Sequence, residues 1–192
     1  QSILKIIAKE KGSLLVFLPG KKEIDLVEQQ LTNNLADPSI LVTPLYGALS
    51  LGDQRKAIES PPEGIRKIVL TTSIAETSLT IESVRVVVDA GLSRLPVYDP
   101  KTAMTRLTTK TLSAAAAKQR AGRAGRIEPG VCYRLWHENQ QHQLTPFTPP
   151  EITQADLTPL ALQLLQWGVS DPGELSWITP PPEGPLPQAK DL

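Results

Sequence analysis

Leu14-Leu15-Val16-Phe17-Leu18, closed by Pro19-Gly20, is the stretch on which the fold turns. It is a short continuous apolar run ended by a turn signal, so it reads as a strand buried on both faces. The same pattern recurs along the chain. Ile40 to Tyr46 is a second apolar run, Lys67 to Thr72 a third, Arg85 to Ala90 a fourth centred on Val86-Val87-Val88, and Val131 to Trp136 a later one. Helical stretches separate them. Residues 22–35 set Ile24, Val27, Leu31 and Leu35 at helical spacing, and residues 51–59 form a shorter helix before the turn Pro61-Pro62-Glu63-Gly64. Buried strands alternating with helices predict an α/β fold with a mostly parallel sheet flanked by helices. Ligands in such folds sit at the carboxyl ends of the strands, where Pro19-Gly20, Tyr46-Gly47, Thr72-Ser73 and Ala90-Gly91 fall.

Residues 92–109 break this alternation. Leu95-Pro96-Val97-Tyr98 and Met104-Thr105-Arg106-Leu107-Thr108 flank Asp99-Pro100-Lys101-Thr102, which predicts a hairpin projecting from the sheet. Ser113 then caps a helix that starts Ala114-Ala115-Ala116-Ala117. Past residue 145 the composition shifts: ten of the 18 prolines lie there, with one basic and six acidic residues. A boundary follows, giving one domain over 1–145 and the start of a further helical region, winged-helix in type, over 146–192. That region is expected to hold a helix at 156–167 and a proline-rich, extended end at 179–187.

The 192 residues carry no net charge, but residues 94–134 hold nine basic against two acidic side chains, a surplus that suits an anionic partner. No apolar run reaches the ~20 residues a membrane span needs, so no membrane role is expected. The single cysteine, Cys132, rules out an internal disulfide and fits a reducing, cytoplasmic compartment. It reads as a strand cysteine and not a nucleophile. His137 and His142 have no metal spacing with it, so no metal site is expected within the chain. Trp136, Trp167 and Trp177 read as packing residues. The opening Gln1-Ser2-Ile3-Leu4 reads as the middle of a helix, so the chain is expected to be a piece of a longer one.

Two stretches carry chemistry. Residues 119–126 read Gln-Arg-Ala-Gly-Arg-Ala-Gly-Arg. On a helix at about 100° per residue, Gln119, Arg123 and Arg126 share one face and Arg120 points aside, towards a carboxylate of its own domain. Guanidinium groups match phosphate oxygens in pairs and never lose their charge. Residues 71–82, Thr-Thr-Ser-Ile-Ala-Glu-Thr-Ser-Leu-Thr-Ile-Glu, set six hydroxyls within ten residues after a buried strand. Hydroxyls and free N–H groups at such a turn bind phosphate and sugar oxygens without reading base identity.

Both stretches resemble helicase motifs of superfamily 2. Gln119 to Arg126 is similar to motif VI, and Thr72-Ser73-Ile74-Ala75-Glu76-Thr77-Ser78 to motif V of the DEAH-box subgroup. Leu15 to Ile24 resembles motif IV, and Leu45-Tyr46-Gly47-Ala48-Leu49 the segment between IV and V. The hairpin lies where DEAH-box enzymes carry their strand-separating hairpin. The match runs through residues 14–136 in the family's order. It is closest to the bacterial Hrp type, on Pro19-Gly20-Lys21-Lys22 and on Pro150-Glu151-Ile152.

The resemblance implies the second RecA-like domain of an ATP-dependent RNA helicase, which faces a first RecA-like domain of the same polypeptide across an ATP cleft. Arg123 and Arg126 would contact the transferred phosphates as arginine fingers and Gln119 would place the attacking water. Thr80 and Glu82 would touch the ribose. Ile58 falls where relatives set an aromatic under the adenine, which implies weak base selectivity. Lys21, Gly47, Thr72 and Ser73 would line the backbone of single-stranded RNA or DNA. The chain departs from the pattern at Glu82-Ser83, where the family has Asp-Gly, and at Ser73, where it has Asn. Neither a G-x-x-x-x-G-K-[ST] run nor Asp-Glu-x-His occurs in the sequence. The P-loop lysine and the ligands of Mg²⁺ are therefore expected from another segment, and this chain alone should hydrolyse no ATP. Two other readings remain open: the same domain of a DNA helicase or translocase, and a RecA-like module that only binds protein.

Overall fold

The computed structural model describes residues 1–77, 79, 81–125 and 129–182. Two compact units divide the chain. The first comprises Gln1–Arg94 and Thr109–Thr148. Its centre is a five-stranded parallel sheet: β1 (Ser13–Phe17), β2 (Ile40–Leu45), β3 (Arg66–Thr71), β4 (Val84–Asp89) and β7 (Val131–Arg134), in the order β2-β3-β1-β4-β7. All five residues of β1 are buried, because it lies in the middle of the sheet with helices over both faces.

Alternate residues of the strands feed two cores. On one face Leu14, Val16, Ile68, Leu70, Val86 and Val88 pack with Ile6 and Ile7 of α1 (Ser2–Lys9) and with Ile24 and Leu31 of α2 (Lys21–Asn34). On the other face Leu15, Phe17, Val69 and Val87 meet Ala57 of α3 (Leu51–Ile58) and Ala75 of the 3₁₀ turn Ser73–Ala75. Helix α4 (Ala114–Ala121) is the crossover from β4 to β7. It starts near the carboxyl end of β4, where Leu112 N–H reaches the Gly91 carbonyl at 3.1 Å. The chain leaves it at the amino end, where Gly125 N–H reaches the Val84 carbonyl at 3.3 Å. Ser113 caps α4 as expected, accepting from Ala116 N–H.

Strands β5 (Leu92–Asp99) and β6 (Met104–Thr111) pair as the expected hairpin, and every residue of β6 is exposed. So short a connection permits only antiparallel pairing. The hairpin straddles the two units. The second unit comprises Leu95–Thr108 and the described residues from Pro149 onward. Its small core sets Leu157, Ala161 and Leu164 against Ile152, Leu175 and Trp177, mostly from α6 (Thr158–Gln166) and its flanks. Tyr98 N–H donates to the Gln154 carbonyl at 3.0 Å and ties the hairpin strand into this unit. Trp167 departs from its expected packing role: it follows the last turn of α6 and is exposed. Residues 183–187 of the expected extended end lie outside the described residues.

Candidate nucleotide and nucleic-acid sites

The expected site residues fall into two groups at opposite ends of the strands. At the carboxyl edge, β2, β3 and β1 are neighbours, so the loops that leave them lie side by side. Lys21 opens α2 directly after β1. Its ammonium sits 5.7 Å from the centre of the Tyr46 ring, which brings it to the loop after β2. Asp25, one turn on at 2.5 Å, pushes the Lys21 pKa above its ordinary value. Gly47 is exposed, and a Cβ there would stand 3.9 Å from Ile74 of the turn that follows β3. Thr72 is half-buried and its N–H reaches the Leu45 carbonyl at 3.4 Å, while Ser73 is exposed. Lys21, Gly47 and the Thr72–Ser73 turn thus form one surface with its polar groups outward.

At the amino edge, a cleft of about 430 Å³ is lined by Ser13, Pro61, Arg66, Glu82, Ser83 and Arg123, among others. Ser60 Oγ donates to Glu82 Oε2 at 2.7 Å and holds that exposed carboxylate at the entry to β4. Ser83 has φ 63°, a left-handed conformation that costs a side chain about 1–2 kcal/mol and that glycine adopts freely. Ile58, at the end of α3, is half-buried against the second core. Thr80 and Arg126 lie outside the described residues.

The arginine stretch differs from its expected shape. Helix α4 stops at Ala121, Gly122 caps it, and Arg123 sits on a turn whose N–H reaches the Arg120 carbonyl at 3.0 Å. Gly125 is left-handed at φ 71° and packs against Gly130, where a Cβ would stand 2.3 Å from the Gly125 nitrogen. Two glycines tip the balance against continuing the helix, since each costs about 1 kcal/mol in a helix interior. The common helical face therefore extends from Gln119, which is exposed, no further than Ala121. Arg123 reaches the cleft by another route. Its guanidinium donates to the Leu79 carbonyl at 2.8 Å and to the Glu76 carbonyl, so these two carbonyls aim it.

Arg120 is fully buried. Its Nε and Nη2 lie 2.7 Å from Glu76 Oε1, and its Nη1 donates to Asp89 Oδ1 at 2.8 Å and to the Leu92 carbonyl at 3.1 Å. Nη2 also donates to Ser93 Oγ at 2.5 Å, and the guanidinium carbon stands 4.9 Å over the Phe17 ring. The carboxylate partner read from the sequence is in fact two, Glu76 and Asp89. Neither these nor Ser93 was assigned a role from the sequence; the one available signal was a lone buried-strand carboxylate, Asp89, at the end of Val86-Val87-Val88.

Residues 1–128 match the family described as the helicase conserved C-terminal domain. The chain belongs to that family. The helicase C-terminal domain is 50% identical over 188 residues to the ATP-dependent RNA helicase HrpB of Escherichia coli (strain K12), covering 98% of this chain and 23% of that protein. It is 43% identical over 182 residues to the probable ATP-dependent RNA helicase DHX34 of Homo sapiens, covering 94% of this chain and 16% of that one. A crystal structure of the Escherichia coli DEAH/RHA helicase HrpB superposes with a TM-score of 0.94 at 49% identity, covering 99% of this chain and 24% of that one. The RecA-like α/β fold and the DEAH-box resemblance are thereby borne out. The helicase C-terminal domain spans about a quarter or less of the length of these relatives. Among its described residues no helix is long and apolar enough to cross a membrane.

Proposed function

We propose that this domain is the second RecA-like half of an ATP-dependent RNA helicase: it completes an ATP site begun by a first RecA-like domain and holds the nucleic-acid backbone. The observation that carries the reading is Arg123, fixed by two main-chain carbonyls in a cleft that also presents Glu82. A guanidinium keeps its charge at any ordinary pH and matches phosphate oxygens in pairs. In the same reading Arg126 and Gln119 act on phosphate and water, and Thr80, Glu82 and Ile58 on the nucleoside. Phosphoryl transfer draws on positioning and charge stabilisation, which these groups supply.

The donor set suits ATP whose metal is held elsewhere. Among the described residues no three acidic, histidine or cysteine side chains gather to hold a cation, so Mg²⁺ would come with the partner domain's carboxylates. When bound, Mg²⁺ would supply charge neutralisation at the phosphates. Lys21, Gly47, Thr72 and Ser73 form the backbone-binding surface at the opposite edge. Cytoplasmic location accords with the lone cysteine.

The test is ATP turnover and duplex unwinding by the intact protein that carries this chain, with RNA and DNA duplexes side by side. RNA-stimulated turnover with RNA unwinding is expected, and no turnover by the purified 192-residue chain. Unwinding of DNA alone would select the DNA helicase reading. A protein that turns over no ATP would defeat the proposal in favour of a binding module.

A further inference from the structure

The geometry points to Arg120 as a positioning residue that couples the root of the hairpin to the arginine in the nucleotide cleft; this deepens the function proposed above and rests on it. Three observations carry the inference. First, Arg120 spends its guanidinium on three separate segments: Glu76 on the loop after β3, Asp89 at the end of β4, and Leu92 and Ser93 at the first residues of the hairpin. An arginine needed only to neutralise a carboxylate would not tie down the hairpin root as well. Second, Glu76 is held from both sides. Its carboxylate takes Arg120 while its main-chain carbonyl takes Arg123. Any shift of Arg120 along α4 therefore displaces the peptide that aims Arg123. Third, Asp89 Oδ2 is buried and accepts no hydrogen bond, although Oδ1 accepts from both Arg120 and Gly91. The carboxylate thus holds an acceptor in reserve, to which the guanidinium can slide without losing its charge partner. A second arrangement of this kind is what a coupling element requires.

Movement of the hairpin root at Leu92–Ser93 would thus reach Arg123 through one guanidinium and one peptide. The direction also runs the other way: a phosphate that draws Arg123 off the Glu76 carbonyl loosens the clamp on the hairpin.

Removing Arg120 itself would strand the buried Asp89 and the half-buried Glu76, so the decisive variant is Ser93→Ala in the intact protein. It deletes the one side-chain bond from Arg120 to the hairpin root and leaves the Leu92 carbonyl and both carboxylates in place. Basal ATP turnover and KM for ATP should stay within about twofold of wild type. The RNA-stimulated turnover, and the base pairs unwound per ATP consumed, should fall by at least about fivefold, the lower end of typical coupling between sites. Arg120→Lys keeps the charge but not the fork, and should lower basal and RNA-stimulated turnover together, since the bond to Glu76 also positions the carbonyl that aims Arg123. Equal losses of basal and RNA-stimulated turnover in Ser93→Ala, or no loss in either variant, would overturn the coupling. Should wild-type protein itself neither hydrolyse ATP nor unwind RNA, the helicase reading fails first and takes the coupling with it.

Discussion

Arg120 and Asp89 stand 2.8 Å apart with each side chain only 1% exposed. An ion pair so fully withdrawn from water is not a large source of stability, because desolvation offsets most of the attraction. Its loss is another matter. Arg120→Met takes the guanidinium from Glu76, Asp89 and Ser93 and leaves Asp89 the Gly91 N–H alone, and breaking a buried pair costs about 3–5 kcal/mol. Urea denaturation of the chain should show that loss as a lower midpoint. A midpoint unchanged from wild type would mean that the carboxylates find other donors.

Arg123→Ala in the intact protein should lower ATP turnover by about 10³–10⁵, the contribution of an arginine finger. Arg126→Ala should do the same. The fold should survive, since the Leu79 and Glu76 carbonyls that Arg123 leaves can turn to water. Circular dichroism alongside steady-state turnover separates the two effects, and near-normal turnover in both variants would remove the finger assignment.

Ser83→Gly should stabilise the chain. The native φ of 63° strains a serine by about 1–2 kcal/mol, and glycine returns up to about 1 kcal/mol of that through its freer unfolded state. A gain of up to about 1 kcal/mol in denaturant unfolding is the expected result, whereas Ser83→Val should lose stability. If glycine proves the less stable of the two, the left-handed turn at the entry to β4 is wrong.

Cys132 should alkylate slowly. Burial pushes its thiol up from the ordinary value, and the negative charge of Asp89 adds to the shift. Only the thiolate attacks, so at pH 8 the folded chain should react with iodoacetamide more slowly than free cysteine does. The rate should climb as pH passes above the usual thiol range and rise to that of free cysteine in denaturant. Equal rates with and without denaturant would contradict the burial.

The strands were legible because their signal is local. Leu14 to Leu18 and Val86-Val87-Val88 are apolar without a break, and turn residues bound them. Order within the sheet was not, since β1 pairs with β3 and β4 and nothing in its own residues names those partners. The end of α4 was misjudged for a related reason. Arginine and alanine at 119–126 fit a helix residue by residue, and only Gly122, Gly125 and the carbonyls of Glu76 and Leu79 decide that the chain turns. Arg120 was separable by its angle from Gln119, yet its full partnership required three distant segments to meet. Lys21, Gly47 and Ser73 were legible as residues that follow the ends of strands. That they share one surface follows from the strand order.

The central place of β1 also governs how the chain is made. Leu14 pairs with Ile68 on one side and with Val86 on the other. A nascent chain leaving the ribosome therefore carries its most apolar strand unpaired until β3 is complete, and half-paired until β4 is. Such distant pairings close slowly, and an open apolar strand edge invites other chains meanwhile. Truncation before Asp89 would leave that edge open for good, so shortened forms of this domain should aggregate where longer ones fold.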